Sequence, residues 1–280
     1  MAIKESVMSG STAESLESRY QAVRQRIADA AATTGRTAAD IMLVAVTKFA
    51  EADQVRSLIQ LGHRDFGENK VQNLLHRAGM VEEFMARRRV LPRARHARDG
   101  DALLSPAGRE DAVRWHMIGH LQRNKARKAI EFCRLIHSVD SLRLAEEIQA
   151  VAVKREQPVE VLVQVNCSAE ESKYGCPLPA AIHLAEQIET MVFVRVRGLM
   201  TMAPLSTNPE DSRATFGRCR ELFEEVRRSG VGEGRFNILS MGMSNDFEVA
   251  ISEGANLVRV GTAIFGEPKT PMPDMEDDED

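Results

Sequence analysis

Lys48 ends the run IMLVAVTK (41–48), in which six apolar residues and a threonine precede a primary amine. A lysine held partly out of water loses its proton more easily, and the neutral amine forms Schiff bases with aldehydes. The same position also suits a solvated lysine at a strand end. Gly242-Met243-Ser244 and Gly261-Thr262 offer a second chemistry. Small residues let backbone N–H groups approach an anion, and the hydroxyls add donors. A helix opening at such a loop adds ~0.3–1 kcal/mol of favourable charge interaction. Ser244 alone also fits a helix N-cap, and Gly261 alone a turn; together they favour a phosphate site. Arg259 lies two residues before Gly261 in LVRV (257–260). If Leu257 points inward along a strand, alternation points Arg259 inward too. Its guanidinium then needs an acceptor, either a ligand ring nitrogen or a carboxylate in a salt bridge.

Other polar residues read more plainly. His116 and His120 have no metal-ligand constellation around them and are expected to be hydrogen-bonded structural histidines. His137 and Asp140 suit hydrogen bonding at a barrel rim better than a catalytic dyad. Asn124 and Lys125 either anchor a carboxylate or simply begin a helix. Met200 and Met202 suit a pocket wall. Cys133, Cys167, Cys176 and Cys219 form no CxxC pair and are expected to be reduced and mostly buried, with Cys176 in an exposed loop.

These residues need elements to position them. Apolar residues recur at helical spacing over 13–34, with Gly35 as a stop. Strands are expected at 41–46, 64–67, 115–119, 135–139, 159–166, 194–202, 236–241 and 256–261. Helices are expected at 51–61, through Val71, Leu74 and Leu75, and at 124–132, 141–154, 178–190, 209–229 and 244–253. Eight strands alternating with helices imply a parallel sheet, and eight such units in this length fit a (β/α)8 TIM barrel. A doubly wound open sheet is the alternative, but no GxGxxG turn follows the first strand. In a barrel, the candidate residues gather at the C-terminal strand ends, and the loops after strands seven and eight commonly hold phosphate.

The 280 residues are 43% hydrophobic and 28% charged, the make-up of an ordinary globular chain. The net charge of −4 comes from six acids in the tail (Asp274, Glu276, Asp277, Asp278, Glu279, Asp280). Without them 35 acids face 37 bases, too balanced for a nucleic-acid binder. No apolar run reaches the ~18 residues of a membrane helix, and no signal peptide opens the chain, so a cytoplasmic location is expected. Residues 86–111 hold Arg87, Arg88, Arg89, Arg93, Arg95 and Arg98 and lack periodicity, so they are expected to be an insertion. Residues 1–266 are expected to form one barrel domain, and 267–280 a disordered acidic tail.

A reactive lysine, a phosphate cradle and a cation facing a ring together describe a site for pyridoxal 5'-phosphate (PLP). The motifs VTK (46–48), FGENKVQ (66–72), WHMIGHLQRNKAR (115–127), HSVDS (137–141), QVN (164–166), ESKYG (171–175), RGLMTMAP (197–204), LSMGMSNDFEVAI (239–251) and VRVGTAIFG (258–266) resemble the pyridoxal phosphate homeostasis proteins. The resemblance runs from about residue 13 to Gly266. It implies the fold of the alanine racemase N-terminal barrel, a fold type III PLP protein.

By resemblance, Lys48 carries the cofactor, and Ser244, Gly261 and Thr262 hold its phosphate, with Met243 a backbone contact beside them. Arg259 faces the pyridine nitrogen, Asn69 is a polar contact, and Met200 and Met202 line the pocket. The implied role is non-catalytic: holding PLP, balancing vitamin B6 and amino-acid pools, and supplying PLP-dependent apo-enzymes, as a monomer without nucleic-acid or membrane partners. A PLP-dependent racemase and a phosphosugar lyase are the alternatives. Arg123 and Tyr174 depart from the family pattern, and Tyr174 leaves residual activity open.

Overall fold

Eight parallel strands close on themselves into a barrel. The computed structural model describes residues 14–96, 112–168 and 174–267. The strands are β1 (Met42–Val46), β2 (Asp65–Glu68), β3 (Arg114–Met117), β4 (Cys133–Val139), β5 (Val159–Asn166), the two-residue β6 (Cys176–Pro177), β7 (Val194–Met200), β8 (Ile238–Ser240) and β9 (Leu257–Val260). All but β6 pair in chain order, with β7 following β5, and β1 pairs with β9 to close the ring. β6 only extends the pairing at the end of β5.

The helices are α1 (Leu16–Thr33), α2 (Ala52–Gln60), α3 (Val71–His96), α4 (Ala126–Phe132), α5 (Leu142–Arg155), α6 (Ala181–Glu189), α7 (Arg213–Arg228), α8 (Phe247–Ser252) and α9 (Thr262–Phe265). The last is one turn long, so α1 fills the eighth outer position. Ser15 caps α1, its Oγ accepting the Ser18 amide at 3.1 Å. Tyr20, Val23, Ile27, Ala30 and Ala31 form its buried stripe. Arg19 donates to the Ile264 carbonyl at 2.9 Å, and Arg26 pairs with Glu248 at 2.5 Å, fixing α1 against α9 and α8.

Two apolar layers follow from strand alternation. The larger lies between strands and helices. The smaller fills the barrel with Val44, Leu135, Leu162, Met200 and Leu257, joined by Ile238 and Met202. One residue along, Ala45 and Val258 face the outer layer instead.

The structure corrects two expectations here. Residues 86–96 continue α3: Ala86 to Arg89 are good helix formers, and the helix runs on through Pro92; the rest of that arginine-bearing segment, 97–111, lies outside the described residues. Cys176 is buried, because β6 draws it onto β5. The first three residues of ESKYG and residues 268–280 also lie outside the described residues.

Candidate functional site

Lys48 lies two residues beyond β1, in a turn closed by the Ala50 amide on the Thr47 carbonyl at 2.9 Å. At the end of β1 lies Gly261, where a Cβ would stand 3.4 Å from Val46 Cβ. Lys48 is exposed, its Nζ 4.7 Å from the centre of the Phe49 ring, so the partial burial expected from the apolar run is not found. The run packs Ala45 and Val44, but the amine clears the strand end. The residue before it is fixed from behind. Buried Thr47 donates to Glu68 Oε1 at 2.6 Å, and Arg77 Nε reaches the same oxygen at 2.6 Å. Arg77 also donates to the Ala50 carbonyl at 2.7 Å, so both ends of segment 47–50 are held. Burial pushes the Glu68 carboxyl pKa up, against the opposing pull of Thr47 and Arg77.

Asn69 follows β2, and its Oδ1 is buried without a hydrogen-bond partner among the described residues. Gly119 presses on its backbone: a Cβ there would lie 2.2 Å from the Asn69 carbonyl oxygen. Asn69, Gly119, His120, Gln122, Lys125 and Tyr174 line a cavity of about 220 Å³. The Tyr174 ring stacks on His120 with centroids 4.5 Å apart. Lys48 is not among the lining residues of this cavity, whereas Lys70 and Lys125 are. Asn124 lines a neighbouring cavity of about 720 Å³.

The loops after β8 and β9 meet. Ser244 Oγ accepts the amide hydrogens of Gly261 at 3.1 Å and Ala263 at 3.3 Å. Two N–H groups thus converge on one oxygen, the arrangement an anion's oxygen requires. Ser244 is not the N-cap of α8, which begins at Phe247 behind Asp246. Thr262 opens α9 directly after Gly261 and is half-buried. The Met243 amide donates to Asp246 Oδ1 at 2.6 Å. Gly242 makes the turn possible, with φ +88° and a site where a Cβ would lie 2.6 Å from Ala250 Cβ.

Arg259 points into the barrel and is buried, as its alternation with Leu257 required. Nη1 donates to Ser240 Oγ at 2.5 Å and Nη2 to the Thr201 carbonyl at 3.0 Å. Among the described residues no carboxylate bonds it, so the salt-bridge alternative is not what the structure contains. Burial pushes its pKa down to about 10, with Asp246 opposing, so it remains a cation at neutral pH. Ser240 Oγ continues to His137 Nδ1 at 3.1 Å, and His137 Nε2 to His116 Nδ1 at 3.0 Å. His116 Nε2 meets Asp65 Oδ1 at 3.2 Å, and Asp65 takes a bidentate pair from Arg114 at 2.7 and 2.6 Å. Burial, then the neighbouring His116 and Arg259, hold the His137 pKa well below the ordinary histidine value. His137 therefore belongs to the interior, not to a rim pair; Asp140 stands 3.8 Å from His120 instead.

Met200 is buried inside the barrel and Met202 packs beside it half-buried. The candidate residues thus come from five consecutive staves, β7, β8, β9, β1 and β2. Ser240, Thr201, Gly119 and Glu68 were not singled out from sequence, though inward alternation from Ile238 marks Ser240. Among the described residues no group of three or more His, Cys, Asp or Glu could hold a metal.

Residues 18–269 match the alanine racemase N-terminal domain family. A pyridoxal phosphate homeostasis protein of Aquifex aeolicus is 36% identical over 255 residues, covering 90% of this chain and 97% of the relative. A crystal structure of an unknown protein from Bifidobacterium adolescentis is 37% identical with a TM-score of 0.77, covering 93% of this chain and 98% of that one. PipY of Synechococcus elongatus, solved with PLP bound, is 29% identical with a TM-score of 0.68, covering 90% of this chain and all of its own (100%).

Proposed function

The chain belongs to the alanine racemase N-terminal domain family, among its pyridoxal phosphate homeostasis proteins, and on that premise we propose that it binds PLP at the C-terminal mouth of the barrel. The residues present fit that group. Asn69 Oδ1 is a buried acceptor without a partner, and the Gly261 and Ala263 amides already converge on one oxygen. When bound, PLP supplies an aldehyde that condenses reversibly with a primary amine. Lys48 supplies the amine, Ser244, Gly261 and Thr262 hold the phosphate, and Arg259 faces the ring nitrogen. Met243 keeps the phosphate loop in shape through Asp246. Met200 and Met202 close the apolar side, and Asn69 fixes a polar edge of the ring. The single observation that carries this reading is the adjacency of Val46 and Gly261, which sets the Lys48 stave beside the anion-binding turn.

The role proposed is non-catalytic: the protein holds PLP, takes part in vitamin B6 and amino-acid balance, and supplies PLP-dependent apo-enzymes. Racemisation needs a proton removed from one face of an α-carbon and delivered to the other. Lys48 can serve one face only. Of the two tyrosines, Tyr20 is buried on α1 against His63, and Tyr174 is 59% exposed and stacked on His120. Arg259, a cation at neutral pH, disfavours a protonated ring nitrogen and so weakens the ring as an electron sink. Incubating the PLP-loaded chain with single-enantiomer alanine, then resolving products chirally, tests the role. Visible absorbance from bound PLP without turnover is expected. Multiple turnovers abolished by Tyr174→Phe would make it a racemase.

A further inference from the structure

Six side chains from five staves form one hydrogen-bonded line through the barrel: Arg259, Ser240, His137, His116, Asp65 and Arg114. Its two ends constrain the bonds between them. Arginine only donates, and an ionised carboxylate only accepts. Arg259 Nη1 donates to Ser240 Oγ, so the Ser240 hydroxyl hydrogen is free to go to His137 Nδ1. His137 then carries its proton on Nε2 and donates to His116 Nδ1. His116 in turn carries its proton on Nε2 and donates to Asp65. The line is fully satisfied when both imidazoles are neutral and both are Nε2–H tautomers. With His137 neutral, a proton on its Nδ1 would turn its bare Nε2 toward the equally bare His116 Nδ1 and leave that contact without a hydrogen.

Asp65 is held at the far end by bidentate Arg114, which is partly exposed on a cavity of about 440 Å³ at the N-terminal side of the barrel. Arg259 and Ser240 stand at the opposite ends of β9 and β8. The line therefore ties the guanidinium to groups at the other end of the molecule. Among the described residues, the side chains of Ser240, His116 and His137 make no hydrogen bond outside this line, and a barrel interior filled with apolar side chains would cost less than a buried polar chain.

We propose that His137 and His116 are positioning residues for the cofactor ring, aiming Arg259 through Ser240 by a one-way hydrogen-bond relay that ends at Asp65. The proposal rests on the PLP reading above. It separates the histidines from a merely structural role, because their effect must pass through the ring nitrogen that Arg259 faces.

Two measurements on the full chain test it. In the ligand-free protein labelled with 15N-histidine, long-range 15N–1H spectra should show His116 and His137 neutral and protonated on Nε2. A Nδ1–H tautomer or a charged imidazole at either would overturn the relay. Binding is then measured for PLP and for its 1-deaza analogue, in which a C–H replaces the ring nitrogen. Ser240→Ala and His137→Leu should weaken PLP about tenfold and change the analogue less than about twofold. Ser240→Thr, which keeps the hydroxyl, and His137→Asn, which keeps an acceptor and a donor, should restore most of the loss. Equal weakening of both ligands, or no rescue, would mean the line is structural only. If the unaltered chain binds neither ligand, the PLP reading itself fails and the positioning role falls with it.

Discussion

Ser244 Oγ holds the Gly261 amide at 3.1 Å, so one hydroxyl joins the loop after β8 to the turn after β9. The same oxygen takes the Ala263 amide at 3.3 Å. Removing it frees both amides and takes away a donor to the phosphate. Ser244→Ala should weaken PLP by ~1.5–3 kcal/mol, the worth of a hydrogen bond to a charged group. Pyridoxal, which lacks the phosphate, should be weakened far less. Equal loss for both ligands in a fluorescence titration would show that Ser244 only braces the loops.

Gly119 and Asn69 are in backbone contact, leaving no room for a Cβ at residue 119. Gly119→Ala must therefore push the Asn69 backbone away from its place at the mouth. Overpacking of this kind costs about 1–3 kcal/mol. Thermal denaturation should show the loss, and PLP titration a lower affinity. An unchanged melting temperature and affinity would mean that the loop after β3 yields without cost.

Arg77 supplies the cation beside fully buried Glu68. Arg77→Leu leaves that carboxyl without its partner and should destabilise the chain by about 3 kcal/mol. Adding Glu68→Gln removes the buried charge and should recover part of the loss. Urea unfolding of the two single variants and the double variant measures the coupling; strictly additive effects would contradict it.

His63 accepts from the Tyr20 hydroxyl at 3.2 Å and donates to the Asp65 carbonyl at 2.7 Å. Burial pushes its pKa down from 6.5 to about 4. Below pH 6.5 the unfolded chain takes a proton that the folded chain refuses until about pH 4. Stability is thus fully present above that window and is lost as pH falls through it, by about 3 kcal/mol. His137, also depressed, acts in the same direction. Below it Asp65 adds a further loss: burial raises its pKa, but Arg114 and His116 outweigh that and hold it well below the ordinary carboxyl value. Urea midpoints should fall between pH 7 and 5, and less steeply in His63→Gln, where only the His137 contribution remains; a flat profile in the unaltered chain would refute the assignment.

Much of the barrel was legible because its strands are apolar runs bounded by turn residues. β5 occupies the expected 159–166, and β1 lies within 41–46. The inward turn of Arg259 followed from its two-residue spacing to Leu257. The relay was not legible, since Ser240 and His137 meet across 103 residues and only barrel closure brings them together. Lys48 shows the converse limit: the apolar run marked the strand, but exposure depends on how far the side chain clears the rim. The extent of α3 was not legible because residues 86–96 carry no apolar periodicity and Pro92 signals a break that the helix does not make.

In the proposed site Lys48 carries PLP. Loading the chain with PLP, reducing it with borohydride and mapping peptides by mass spectrometry tests this directly. The expected result is a single pyridoxyl adduct on Lys48, lost in Lys48→Ala. An adduct on Lys70 or Lys125, which line the cavity beside Asn69, would contradict it.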